Sequence, residues 1–150
     1  MFKCCQTVDT IVCPNSISNE CIRIPTWANT MPYVPPVTSG YVIKVYDGDT
    51  ITIATKVHPD NDMMYRFSVR LRGIDCPEMK SSDESERERA KIAQKEMSDL
   101  CLNQTVQLKN VDLDKYGRLL ADVYLHDYHL NMHMLNRNLA VPYDGKTKES

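Results

Sequence analysis

Tyr41-Val42-Ile43-Lys44-Val45-Tyr46-Asp47-Gly48-Asp49-Thr50-Ile51-Thr52-Ile53-Ala54-Thr55-Lys56-Val57 is the stretch on which the fold turns. Tyr41 to Tyr46 is a β-branched and aromatic run, and Thr50 to Val57 alternates with a period of two, the pattern of a strand with one buried face. Asp47-Gly48-Asp49 between them has the residues a tight turn requires. His58-Pro59-Asp60-Asn61-Asp62 is a second turn, and Arg66-Phe67-Ser68-Val69-Arg70-Leu71-Arg72-Gly73-Ile74 a third strand. Three consecutive strands joined by short turns form a meander.

Downstream the period changes. From Ser81 to Asn103, Ala90, Ala93, Met97, Leu100 and Cys101 recur at helical spacing. Asp83 with Glu86 three residues on resembles a capping box, and the early glutamates suit the positive end of a helix dipole. Thr105 to Lys109 and Arg118 to Leu125 read as two more strands. His129 to Arg137 reads as a short helix that Asn138 can end in the left-handed conformation. Three strands, a helix, two strands and a helix predict a mainly β, α+β chain: a small closed five-stranded barrel of the OB type with two flanking helices.

Residues 1–39 differ in character. They hold Cys4, Cys5, Cys13 and Cys21, while Pro25, Pro32, Pro35 and Pro36 break any periodic pattern. The expected organisation is an irregular, flexible extension over 1–39, a folded domain over 40–145 and a tail over 146–150. The hydrophobic share of 42% and charged share of 25% are those of a globular protein. The start lacks the apolar core of a secretory signal, so a cytoplasmic location with reduced cysteines is expected. A net charge of −2 argues against holding nucleic acid by broad electrostatics, since phosphate neutralisation supplies most of that affinity. Any such contact must be local and partly metal-mediated. A monomer is the expected state.

Chemistry is concentrated between Asp49 and Arg118. Asp49, Asp75 and Glu78 come from two strand ends, and Asp75-Cys76-Pro77-Glu78 spaces two carboxylates three apart on a turn stiffened by proline. Two aspartates and a backbone carbonyl suit calcium, which takes several oxygen ligands. Acidic residues also sit in turns with no metal role, and Asp47-Gly48-Asp49 alone does not separate the two. Arg70 and Arg118 add planar, permanently charged forks that match phosphate oxygens in pairs. Carboxylates for a metal and a water, with two guanidinium groups for a phosphate, make a set suited to phosphodiester hydrolysis.

Asp47-Gly48-Asp49-Thr50, then Val69 to Glu78, then Asp114-Lys115-Tyr116-Gly117-Arg118-Leu119-Leu120-Ala121, resemble the staphylococcal nuclease (thermonuclease) family in order and approximate spacing, from about Gly40 to Tyr143. The resemblance implies a calcium-dependent endonuclease that hydrolyses DNA or RNA with little sequence preference and leaves 3′-phosphates. It implies Asp49, Asp75 and the carbonyl of Cys76 as calcium ligands. Glu78 would be the general base or the residue that positions the attacking water, and Arg70 and Arg118 would grip the scissile phosphate. Lys115 and Tyr116 would lie near a terminal phosphate, and Tyr143 would stack on a base. The alternative is a related barrel acting as a non-catalytic nucleic-acid- or protein-binding module. Three departures stand out. Thr is usual where Cys76 stands, the segment around Pro59 is longer than usual, and the family usually adds a third helix after the position of Tyr143.

Other motifs carry less. Asp47-Gly48-Asp49 and Asp112 to Gly117 echo the start of an EF-hand loop, but the twelfth position falls on His58 or Val123 rather than Glu. His129 and His133 are four apart on the second helix, with Leu130 where a metalloprotease helix carries Glu; surface or partly packed histidines are the expected reading. The amino-terminal cysteines allow inert thiols, a small metal site, or acylation at Cys4 and Cys5 for membrane attachment. The inert reading is preferred.

Overall fold

The computed structural model describes residues 24–60 and 62–144. The chain divides into two units, 1–33 and 34–150. Within the first, Trp27–Asn29 forms one 3-10 turn, with the Thr26 N–H donating to Asn29 Oδ1 at 2.7 Å. Cys4, Cys5, Cys13, Cys21 and the tail 146–150 lie outside the described residues.

Among its described residues the second unit has eight strands and two helices: β1 (Ser39–Asp47), β2 (Thr50–Thr55), β3 (Tyr65–Leu71), β4 (Ile74–Asp75), α1 (Glu84–Cys101), β5 (Thr105–Leu113), β6 (Leu119–Leu125), β7 (Tyr128–His129), α2 (Leu130–Asn136) and β8 (Val141–Pro142). The main sheet runs β3-β2-β1-β5-β6-β7. A parallel pairing of β3 with β6, Val69 opposite Leu119 and Leu71 opposite Ala121, closes five of these strands into a barrel. The fold class predicted from the sequence is the one observed. Closure removes the exposed strand edges that an open sheet would present.

The alternation of β2 places Ile51 and Ile53 inside with no exposed surface, beside Val42, Val69, Leu71, Val106 and Val123. Burying each such side chain contributes about 1.5–3 kcal/mol. The core reaches back beyond Gly40 to Val37, which is 4% exposed, and the Leu108 N–H donates to the Thr38 carbonyl at 2.8 Å. The predicted stripe of α1 is the buried one: Ala90, Ala93, Met97 and Cys101 are fully buried, and Leu100 partly.

Asp83 caps α1 by accepting from the Ser85 N–H at 3.0 Å, but the capping box is indirect. Ser81 Oγ accepts from the Asp83 N–H at 3.2 Å and donates to Glu86 at 2.5 Å, standing where the Glu86 carboxylate alone was expected. Asn138 ends α2 as predicted, at φ 55°, with paired bonds from Leu139 N–H to the Met134 carbonyl and from Asn138 N–H to the Leu135 carbonyl. Among the described residues no helix is long and apolar enough to cross a membrane.

Candidate active site

A cleft of about 770 Å³ opens where the β1–β2 turn, the ends of β3 and β4, the β5–β6 turn and the segment after β8 converge. Every site residue named from the sequence lines it: Asp49, Arg70, Asp75, Cys76, Glu78, Lys115, Tyr116, Arg118 and Tyr143. The barrel's ladders bring them together. Thr50 pairs with Arg70 across β2 and β3, which sets Asp49 beside that arginine. The parallel closure sets Val69 against Leu119, which brings Arg118, the residue just before β6, to the end of the barrel where Arg70 lies.

Arg70 is the hub of the acidic half. Its Nη1 lies 2.9 Å from Asp49 Oδ2 and its Nη2 2.8 Å from Asp75 Oδ1. Burial opposes its charge, but Asp49, Asp75 and Asp47 outweigh that and raise its pKa above the ordinary arginine value. Asp49 is 2% exposed and fully engaged. Its Oδ1 accepts from Thr50 Oγ1 at 2.9 Å, and its Oδ2 also accepts from the Cys76 N–H at 3.1 Å. Arg70 Cζ lies 5.9 Å from the Tyr143 ring. That ring reaches the cleft because β4 pairs with β8, Asp75 opposite Val141, and the Tyr143 N–H donates to the Gly73 carbonyl at 3.0 Å.

Arg118 is held from its own turn. Asp114 Oδ2 accepts from Arg118 Nε at 2.6 Å, while Asp114 Oδ1 accepts from the N–H groups of Tyr116 and Arg118. Burial pushes the Asp114 carboxyl up, but these bonds and the Arg118 charge carry it below its ordinary value. Gly117 at φ +78° lets the turn close, a backbone region costly for any side chain. Tyr116 is 73% exposed at the lip, with Lys115 Nζ 5.0 Å from its ring. Glu78 is exposed at the cleft and forms no ion pair with a described residue, so its carboxylate is available to a water.

Asp47 was not singled out from the sequence, and it belongs to the site. It lines the cleft, and its Oδ1 is buried without a hydrogen-bond partner. Burial first, then the neighbouring Asp49 carboxylate, push its carboxyl up to about 6. The signal was available in Asp47-Gly48-Asp49, where a two-residue turn returns both carboxylates to one end of a hairpin.

Among the described residues no three His, Cys, Asp or Glu side chains converge as a preformed metal cluster, and the Arg70 guanidinium bridges Asp49 and Asp75. The donor set nevertheless fits a hard cation. Asp49 and Asp75 share one guanidinium, Asp47 lines the same cleft, and the buried Asp47 Oδ1 lacks the compensation a buried polar atom needs. Cys76 offers no thiolate, since burial pushes its pKa far up and its Sγ packs beside Gly48. His129 and His133 go elsewhere: His129 stacks on Tyr124 at 4.4 Å, and His133 bonds Glu96 at 2.8 Å and Tyr128 at 2.5 Å.

Comparison with known proteins agrees with this architecture. The family described as staphylococcal nuclease homologue matches residues 68–150. An uncharacterised endonuclease of Haemophilus influenzae is 34% identical over 102 residues, covering 68% of this chain and 51% of that protein. The micrococcal nuclease of Shigella flexneri is 32% identical over 103 residues, covering 69% of this chain and 47% of its own length. An uncharacterised endonuclease of Escherichia coli O157:H7 is 30% identical over 106 residues, 70% of this chain and 61% of its own. The chain thus spans about half the length of the first two relatives. With the motifs in order and on one barrel, the match over more than half its length makes the chain a member of the staphylococcal nuclease homologue family.

Proposed function

We propose that this chain is a calcium-dependent endonuclease that hydrolyses phosphodiester bonds of DNA or RNA and leaves 3′-phosphates. The observation that carries the reading is the gathering of Asp49, Asp75, Glu78, Arg70 and Arg118, far apart in sequence, on one cleft. Relatives with endonuclease and nuclease names support it.

In this reading Arg70 and Arg118 donate to the equatorial oxygens of the phosphate. Negative charge grows there during in-line attack, so preorganised donors stabilise the transition state more than the ground state. Glu78 accepts a proton from the attacking water or holds it in line. Asp47, Asp49, Asp75 and the Cys76 carbonyl are the residues that would hold calcium, which when bound polarises a phosphoryl oxygen and orients the nucleophile. Lys115 and Tyr116 attract a terminal phosphate, and Tyr143 offers a ring to a base. The modest overall charge places the burden of affinity on these local contacts.

The test incubates purified protein with single-stranded DNA and RNA in calcium or in chelator, beside Glu78→Ala. Cleavage in calcium, lost in chelator and in the variant, is the expected result. Fragments that a polymerase extends only after phosphatase treatment would identify 3′-phosphate ends. Binding without cleavage would overturn the enzymatic reading in favour of a non-catalytic module.

A further inference from the structure

β1 carries an extra residue just before the site. Val45 pairs with Ile51 and Asp47 with Thr50, which leaves Tyr46 unpaired in a β-bulge. Bulges beside functional sites re-aim side chains. This one lets Asp47 turn back to the acidic cluster while Tyr46, 48% exposed, lines the same cleft. Helix α1 braces the bulge: Gln94 Nε2 donates to the Tyr46 carbonyl at 2.8 Å and to the Val45 carbonyl at 3.3 Å. Lys44 Nζ lies 5.7 Å from the Tyr46 ring. Tyr116 repeats the arrangement from a different element, an exposed ring with Lys115 beside it.

An exposed aromatic ring with a braced backbone and an adjacent ammonium has the two features single-stranded nucleic acid recognises. The ring gives a base a face to stack on, and the cation meets the neighbouring phosphate. We infer that Tyr46 is a stacking platform for a nucleotide flanking the scissile phosphate of a single strand, with Lys44 contacting the backbone beside it. The inference rests on the nuclease reading of the cleft and extends its substrate contacts beyond Tyr116 and Tyr143.

The experiment measures binding of a fluorescein-labelled single-stranded DNA octanucleotide in calcium to the full chain carrying Glu78→Gln, with and without a change at Tyr46. Tyr46→Ala should weaken binding about tenfold, the scale of one lost base–aromatic stack. Tyr46→Phe keeps the ring and should restore it. Replacing bases one at a time by abasic positions should find one position at which the Tyr46→Ala effect vanishes. Equal binding with and without Tyr46→Ala overturns the inference. So does no binding by the Glu78→Gln protein, or an undiminished effect on a fully abasic strand. Cleavage by the unsubstituted protein is read separately. No cleavage with a base-dependent Tyr46→Ala defect removes the nuclease reading and leaves the platform; cleavage with no such defect does the reverse.

Discussion

Arg118 reaches the cleft already aimed, because Asp114 holds its Nε at 2.6 Å and its backbone N–H at 2.9 Å. Losing one preorganised donor costs about 10²–10³ in turnover where charge develops on the reacting group. Arg118→Ala should therefore lower kcat by about 10²-fold or more, and a loss below a few-fold in steady-state kinetics would remove the arginine from the proposed chemistry. Asp114→Asn keeps the guanidinium but loosens its orientation, so a smaller kcat loss is expected. The same variant has a pH signature. The folded Asp114 carboxyl titrates below its ordinary 3.8, so its stabilising contribution is complete above that value and disappears as pH falls through the folded pKa. The melting-temperature gap between the original protein and Asp114→Asn should be widest near neutrality and close in acid. A gap independent of pH would contradict the charge-assisted account. Asp49, Asp75, Glu78, Arg70 and Arg118 were legible as candidates because carboxylate and guanidinium chemistry is written in residue type. The place of Asp47 beside Asp49 was open to reading from the turn, but its unpartnered oxygen was not, since that is a property of packing.

The β1–β2 hairpin meets α1 with little space to spare. A Cβ on Gly48 would stand 2.8 Å from both Ala93 Cβ and Cys76 Sγ, one of them on the helix and the other beside Asp75. Neither neighbour is the end of a long side chain that could swing away. Gly48→Ala should destabilise the fold by about 1–3 kcal/mol, the usual cost of overpacking, and shift the turn that carries Asp49. Chemical denaturation checks this, and a midpoint at or above that of the original protein would contradict the close packing. The hairpin and the helix were each readable from periodicity and turn chemistry. Their contact was not, because no local pattern says which face of a helix a turn will touch. The same holds for β4 and β8, two residues each, which are too short to show a period and exist through their pairing with each other.

At the level of the complete domain, closure and charge act together. The barrel sets Asp49 and Asp75 on one guanidinium with Asp47 lining the same cleft, an arrangement whose surplus negative charge a divalent cation would offset. A ligand that binds only the folded state stabilises it by about 2.7 kcal/mol at a hundredfold excess over its Kd. Calcium at that excess should raise the melting temperature by several degrees, and Asp49→Asn should abolish the rise. An equal rise in the variant would place the cation elsewhere. Magnesium, which demands stricter octahedral geometry, serves as the comparison.

The five barrel strands and the two helices, the tight turn at Gly48, the α2 stop at Asn138 and the types of residue in the site follow from the chain read alone. Each depends on neighbours within a few positions. The arrival of Arg70 and Arg118 in one cleft, the placing of Tyr143 beside Arg70, the bulge at Tyr46 and the bridging of two aspartates by one arginine were settled by folding. They depend on pairings between segments far apart in sequence, where the choice of partner is made by burial of both faces at once and leaves no periodic trace.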